Sequence, residues 1–163
     1  MSATATAHRG AQRTSQREAD LEARLVGTII PVLRHLLAHA RRRPAWKRLT
    51  FQQYNVLRII HGGGPMGPAE IARRLLVSPP VVTRLAAGLV DAGLVARERD
   101  PVDRRAVLLS LTAAGRRRAA AMRRDLLAAA AELIEPLPEE RRAAVASALE
   151  ELQVLLPERN LTR

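Results

Sequence analysis

The sequence predicts a mainly α-helical protein with a small two-stranded β wing. In this fold class a winged helix-turn-helix is flanked by long N- and C-terminal helices. Three observations favour it. Two short amphipathic helices precede a hairpin, arginines crowd onto that hairpin, and long leucine-lined helices lie at both ends of the chain. A helix pair followed by a hairpin therefore forms the predicted centre of the molecule.

The first helix is predicted from about Ala19 to Arg43. Pro31 lies inside it, and an interior proline removes one backbone hydrogen bond, so we expect a kink, with a full break into two helices as the alternative. Residues 1–17 carry no acidic side chain and are predicted to form a disordered basic tail, with a transit peptide as the alternative. Two apolar stripes at helical spacing line the first helix: Leu21, Leu25, Ile29, Val32 and Leu36, and Val26, Ile30, Leu33 and Leu37.

The central helices carry recognisable start and stop signals. Thr50 followed by Gln53 is a capping box that begins the second helix, and the Gly-Gly-Gly-Pro run at 62–65 ends it. A third helix is predicted over 68–76, with a turn at 77–78. This spacing is typical of a helix-turn-helix.

Ser78 is expected to be the N-cap of a fourth helix, since Pro79 and Pro80 occupy the first two helical positions, where proline is tolerated. Gly93 is expected to end that helix. The remaining elements are predicted as strands over 94–99 and 106–111, a helix over 113–134 capped by Thr112, and a last helix over 139–155.

The fourth helix is predicted to present a nearly uncharged face to a partner. A helical wheel places Val82, Leu85 and Leu89 inward, and Pro80, Thr83, Arg84 and Ala87 outward. Arg84 is suited to a guanine edge, while Thr83, Pro79 or Pro80 are suited to thymine methyl groups. The alternative is that Arg84 is a solvated charge and the prolines only start the helix.

The hairpin arginines are the stronger indication of a nucleic-acid partner. Like charges this close repel each other, and the negative potential of a narrow minor groove would offset that repulsion. Asp103 is predicted to pair with Arg105, which leaves Arg104 as the groove probe. A solvated hairpin is the alternative. The predicted DNA-binding residues are Ser78, Pro79, Pro80, Thr83, Arg84, Arg97, Arg99, Asp103, Arg104 and Arg105.

Composition agrees with this interpretation. The 163 residues carry a formal net charge of +11, and Lys47 is the only lysine, so the positive charge is almost entirely guanidinium. Such an excess favours a polyanionic partner, nucleic acid before a membrane surface, although a general arginine bias contributes to the count. The absence of cysteine excludes a disulfide framework and a thiolate metal site. We expect a cytoplasmic, nucleoid-associated protein without a membrane-spanning segment.

Two other clusters are candidates for a ligand. His35 and His39 share a helix face, but two histidines do not make a metal site, so no metal or other cofactor is expected. Trp46, Phe51 and Tyr54 lie at the junction of the first and second helices, where core packing is the leading interpretation and stacking on an aromatic ligand is the alternative. No phosphate-binding loop, nucleophile elbow or catalytic carboxylate pair is present, so an enzyme is not expected.

The chain resembles the MarR family of transcriptional regulators. The similarity is close over residues 49–115, looser in the flanking helices, and carried by LTFQQYNVL, EIARRL, VVTRL, DAGLVARERDPVDRR and LLSLTAAGR in that order. The resemblance implies an intracellular homodimer that binds a pseudo-palindromic operator in double-stranded DNA. It also implies a small effector, which binds near the junction of the first two helices and weakens DNA binding. Long helices with two apolar stripes independently predict a twofold dimer.

Three residues depart from the family pattern. Ala87 and Gly88 stand where many relatives carry a longer polar or basic residue, and a proline such as Pro31 is unusual in the first helix.

The predicted divisions are a tail (1–17), an N-terminal dimerisation helix (18–46), the winged helix-turn-helix (47–115) and C-terminal dimerisation helices (116–163). We expect a sequence-specific repressor. The alternatives are a non-specific architectural DNA-binding protein and a basic helical module that binds an acidic protein or lipid surface.

Overall fold

Six α-helices and one antiparallel hairpin make up the computed structural model, which describes residues 3–101 and 103–155. The predicted fold class, mainly helical with a two-stranded wing, is confirmed. The elements in chain order are α1 (Ala3–Arg41), a 3₁₀ turn (Pro44–Trp46), α2 (Phe51–Gly63), α3 (Pro68–Leu75), α4 (Pro79–Asp91), β1 (Val95–Arg99), β2 (Val107–Leu111), α5 (Ala113–Ile134) and α6 (Glu139–Leu155).

Helix α1 begins sixteen residues before the predicted start. Residues 3–17, predicted to be a disordered tail, are helical, because this segment is rich in alanine, glutamine and arginine and no proline precedes Pro31. The helix also continues through Pro31, so a break into two helices is excluded. It ends at Arg41, two residues earlier than predicted, and a 3₁₀ turn that the sequence analysis did not predict follows it. The division of the chain into functional domains stays a prediction.

The chain forms two units that divide between Ala38 and His39. The first consists of most of α1, whose apolar side chains from Leu21 to Leu33 are exposed. The second contains the helix-turn-helix, the wing and the C-terminal helices. Its core is built from buried side chains of α2, α3, α4, β2 and α5: Val56, Leu57, Ile59, Ile60, Ile71, Val82, Leu89, Leu109 and Met122.

Helix starts are fixed as the sequence predicts. The Thr50 hydroxyl accepts the Gln53 N–H (3.1 Å) while the Gln53 side chain accepts the Thr50 N–H (2.9 Å), so the capping box is complete. Thr112 caps α5 in a similar way, because its hydroxyl accepts the Gly115 N–H at 3.0 Å and donates to the Gly93 carbonyl at 2.8 Å. Thr112 thus joins the turn after α4, at Gly93, to the start of α5.

Candidate nucleic-acid interface

Helix α4 has one buried and one exposed face, as predicted. Val82 and Leu89 are buried against the rest of the core, whereas Thr83 and Arg84 are exposed. Pro80 is exposed beside them, and the Arg84 guanidinium makes no hydrogen bond or ion pair with any residue that the structure describes. The exposed face therefore offers one guanidinium on a surface of small side chains, which is the arrangement that close approach to base edges requires.

The start of α4 differs from the prediction in one detail. Ser78 occupies the N-cap position, but its side chain makes no capping hydrogen bond. The reason is that Pro80 has no N–H and the Val81 N–H already bonds to the Ser78 carbonyl at 3.0 Å. The exposed Ser78 hydroxyl is thus not used in capping. The neighbouring Thr83 hydroxyl donates to the Pro79 carbonyl at 3.1 Å.

Gly88, where many relatives are expected to carry a longer side chain, faces α2. A Cβ atom at this position would lie 3.1 Å from Nε2 of Gln53. The glycine allows α4 to approach α2 closely, so its cost to helix propensity is offset by packing. Ala87 is half-buried. Because Gly88 faces α2, its lack of a side chain does not change the exposed face of α4.

A tight turn after α4 sets the position of the wing. Gly93 has a positive φ of 67°, its N–H bonds to the Val90 carbonyl at 2.8 Å, and the Leu94 N–H bonds to the Leu89 carbonyl at 2.9 Å. This pair of bonds is a Schellman motif, which a residue without Cβ accommodates best. β1 therefore begins at Val95, only four residues after the end of α4.

The wing is a regular antiparallel hairpin. Arg97 pairs with Leu109 and Arg99 pairs with Val107. Because residues two apart on a strand share a face, both arginines project from one side of β1. The Glu98 carboxylate, on the opposite side, accepts a hydrogen bond from the hydroxyl of Ser110, a buried residue on β2.

The turn between the strands is held by backbone contacts of Asp103. Its carboxylate accepts the Arg105 backbone N–H at 2.9 Å, and its carbonyl accepts the Ala106 N–H at 2.9 Å. Asp103 pairs with Arg105 and shapes the turn as predicted, but the bond is to the backbone N–H of Arg105 and leaves its guanidinium exposed. Arg104 and Arg105 are both exposed, so the turn gives no reason to prefer Arg104 over Arg105 as the groove probe.

The four hairpin arginines are all exposed positive charges. Each is exposed, and none of the four guanidinium groups bonds to a side chain within residues 3–101 and 103–155. Like charges crowded onto one hairpin repel each other, and an anionic partner would reduce that repulsion. These four residues are Arg97, Arg99, Arg104 and Arg105.

Helix α3 carries two arginines, Arg73 and Arg74, that were not predicted to bind DNA and that both bond to Glu70. The Glu70 carboxylate accepts hydrogen bonds from Arg73 Nη2 at 2.6 Å and from Arg74 Nε at 2.6 Å. These bonds lower the pKa of Glu70 below its ordinary value, Arg73 contributing most, so the carboxylate is charged near neutral pH. The i, i+3 and i, i+4 spacing was the sequence signal for this cluster.

The predicted effector residues are placed mainly in packed surroundings. Trp46 and Tyr54 are buried with ring centroids 5.2 Å apart, and Phe51 stacks on Trp46 at 6.5 Å. Burial raises the pKa of Tyr54, and the nearby Arg58 and Arg123 oppose that rise. His39 is half-buried and His35 is exposed. Packing thus accounts for Trp46 and most of Tyr54, and a ligand contact by these residues stays a prediction.

The described residues contain neither a membrane-spanning helix nor a cluster suited to a metal ion. No helix in residues 3–101 or 103–155 is long and apolar enough to cross a membrane. No group of three or more His, Asp or Glu side chains within the same residues is arranged to hold a metal ion.

An exposed recognition helix beside an arginine-bearing hairpin defines a winged helix-turn-helix DNA-binding protein. The MarR family model matches residues 49–106. A helix-turn-helix transcriptional regulator of Mycobacterium bovis is 31% identical over 110 residues, which cover 68% of this chain and 77% of the relative. The chain therefore belongs to the MarR family, and it is a DNA-binding transcriptional regulator.

Two further comparisons agree. A helix-turn-helix transcriptional regulator of Mycobacterium leprae is 35% identical over 92 residues, which cover 56% of this chain and 64% of that relative. The crystal structure of Escherichia coli MarR superposes with a TM-score of 0.68 at 26% identity, covering 83% of this chain and 96% of that protein. The resemblance that the sequence motifs indicate is confirmed.

Proposed function

We propose that the protein is a homodimeric repressor that occupies a pseudo-palindromic operator. The observation that carries the proposal is a set of four exposed wing arginines, none bonded to a side chain in the described residues, in the same chain as the exposed face of α4. Arg84, with the prolines and Thr83 around it, reads base edges in the major groove, and the wing arginines enter the adjacent minor groove. Operator occupancy excludes the transcription machinery from the promoter and keeps the protein on chromosomal DNA in the cytoplasm.

Exposed apolar side chains on the terminal helices support the dimer. In α6 no residue is buried, and Val145, Leu149 and Leu152 form one stripe at spacings of four and three. Leucine side chains in such a stripe gain about 1.5–3 kcal/mol each when a partner covers them. A second copy of the chain is the partner that closed symmetry favours, and it places two recognition helices about 34–36 Å apart, one turn of duplex.

The double variant Leu149→Glu/Leu152→Glu is expected to dissociate the dimer. Both side chains are exposed within one chain, so the fold is retained, whereas each loses its burial across the interface. The dimer dissociation constant should rise by at least about a hundredfold in sedimentation equilibrium. Ser147→Glu, on the opposite side of α6, is the matched control and should leave it unchanged. An equally weakened dimer in that control would contradict the stripe as the interface.

We also propose that a small aromatic acid releases the repressor from DNA. A cavity of about 170 Å³ between α2 and α5 is lined by Tyr54, Arg58, His61 and Arg123, and its cationic lining suits a carboxylate. The same fold in BpsR of Bordetella bronchiseptica, at TM-score 0.62 and 22% identity, has its DNA binding regulated by 6-hydroxynicotinic acid. Emission from Trp46, which contacts Tyr54, reports binding when candidate acids are titrated.

The decisive test is fluorescence anisotropy on the DNA upstream of the protein's own gene and on a scrambled duplex, across a salt series. A preference of about a thousandfold or more for the upstream site is expected of a specific repressor. If it is absent, genome-wide footprinting identifies any preferred site elsewhere. Equal affinity for every duplex, falling steeply with salt, would instead establish a non-specific architectural protein.

A further inference from the structure

Leu76 combines a backbone conformation that leucine rarely adopts with an exposed apolar side chain. It ends α3 with φ 56° and ψ 39°, in the left-handed region, and its side chain is 73% exposed. The clash of Cβ with the backbone disfavours this region for every residue except glycine and, to a lesser degree, asparagine and aspartate. Because so little of the side chain is packed, contacts within the chain do not offset that cost.

Glycine is the residue that commonly occupies the turn of a helix-turn-helix. Arg48 is the other non-glycine residue with positive φ among those described, and its exposed charged side chain is well solvated by water. Leucine at the left-handed turn position is therefore unfavourable both in its backbone and in its exposed surface. Unfavourable conformations of this kind are concentrated at functional sites.

The position of Leu76 indicates which partner it meets. The residue lies in the turn that joins α3 to α4, two residues before Ser78, and Pro79 and Pro80 that follow are also exposed. Three exposed apolar side chains thus lie within five residues of one another at the N-terminal end of α4, the end that meets base edges in helix-turn-helix complexes. The thymine C5 methyl is the apolar group that bases present in the major groove.

We propose that Leu76 is a specificity residue that packs on a thymine methyl group at the edge of each operator half-site. The inference rests on the proposed insertion of α4 into the major groove. It adds a requirement for thymine at one symmetric pair of positions, read by the turn before the helix. The strain at Leu76 is then retained because glycine, which the backbone prefers, would lose this contact.

The test compares the wild-type protein with Leu76→Gly and Leu76→Asn on the preferred duplex. Both substitutions suit the left-handed conformation, so both variants should unfold at a temperature about 2–4 °C higher, which removes misfolding as an explanation of weaker binding. Each thymine of the half-site is replaced in turn by deoxyuridine, which removes only the methyl group. Burying one methyl corresponds to about a fourfold change in affinity per half-site.

The expected result is a coupled loss. Deoxyuridine at one symmetric pair of positions lowers the affinity of the wild-type protein. Leu76→Gly binds the thymine duplex more weakly than the wild type does, by a similar factor. Deoxyuridine at the same positions does not change the affinity of the variant. Arg48→Gly, which relieves the other left-handed residue, should keep the wild-type response to uridine. A Leu76→Gly protein that responds to every uridine as the wild type does overturns the inference, and so does an equal loss on all duplexes. No preference of the wild-type protein for any duplex overturns the proposed function as well.

Discussion

Replacing Gly115 by alanine is expected to destabilise the protein by at least about 3 kcal/mol, the upper end of what overpacking usually costs. A Cβ atom on Gly115 would lie 1.9 Å from the Leu94 carbonyl oxygen and 2.9 Å from its carbonyl carbon. These are backbone atoms, and the same carbonyl accepts the Thr112 N–H at 3.1 Å. Neither side of the contact can move without breaking the junction between the wing and α5.

Urea unfolding monitored by circular dichroism measures this loss as a lower midpoint. Gly27→Ala is the matched control, because no atom lies within 4 Å of the Cβ it would add in α1. That substitution should stabilise the helix by up to about 1 kcal/mol. Since Leu94 precedes β1 and Thr112 follows β2, Gly115→Ala should also loosen the wing and reduce DNA affinity. An unchanged midpoint would show that α5 does not pack on Leu94 in this way.

The C-terminal helices were the part of the fold that could be predicted most closely. α5 and α6 begin and end at the residues predicted for them. Thr112 is a strong local start signal, and Pro136 and Pro138 interrupt the helical pattern between the two. These boundaries depend on single residues and their immediate neighbours, so they can be predicted from one sequence.

The N-terminal boundary could not be predicted in the same way. Residues 3–18 carry neither a capping box nor a strong apolar stripe, so the sequence offers no start signal there. Likewise, Pro31 costs one hydrogen bond and a steric clash, but whether a long helix bends or breaks depends on the rest of the helix. The missed start of α1 and the choice between a kink and a break at Pro31 both depend on helix continuity, which is not encoded at a single residue.

Within the site, the identity of the exposed residues was predictable and their contacts were not. A helical wheel places Arg84 outward, and the structure agrees. The choice of Asp103 between a side-chain and a backbone partner depends on the turn geometry, and the approach of Gly115 to Leu94 depends on tertiary packing. The left-handed conformation of Leu76 was missed because leucine is a poor indicator of it.

Arg84→Ala and Arg104→Ala are expected to weaken DNA binding in two different ways. A guanidinium that forks onto a guanine contributes about 1–3 kcal/mol of discrimination, so Arg84→Ala should lower operator affinity about 10- to 100-fold and leave the scrambled duplex nearly unaffected. A wing arginine near phosphates should weaken binding to both duplexes and reduce the slope of log affinity against log salt by about one per half-site, about two for the dimer.

Anisotropy titrations on both duplexes at several salt concentrations separate these outcomes. Arg105→Ala belongs in the same series, because Arg105 is as exposed as Arg104 and its backbone alone is used in the turn. Arg42→Ala removes the same charge from an exposed residue between α1 and the 3₁₀ turn, outside α4, the wing and the α6 stripe, and controls for net charge. If Arg84→Ala lowers both affinities alike, α4 contributes charge without reading bases. If neither Arg104→Ala nor Arg105→Ala changes the salt slope, the hairpin does not meet the phosphates.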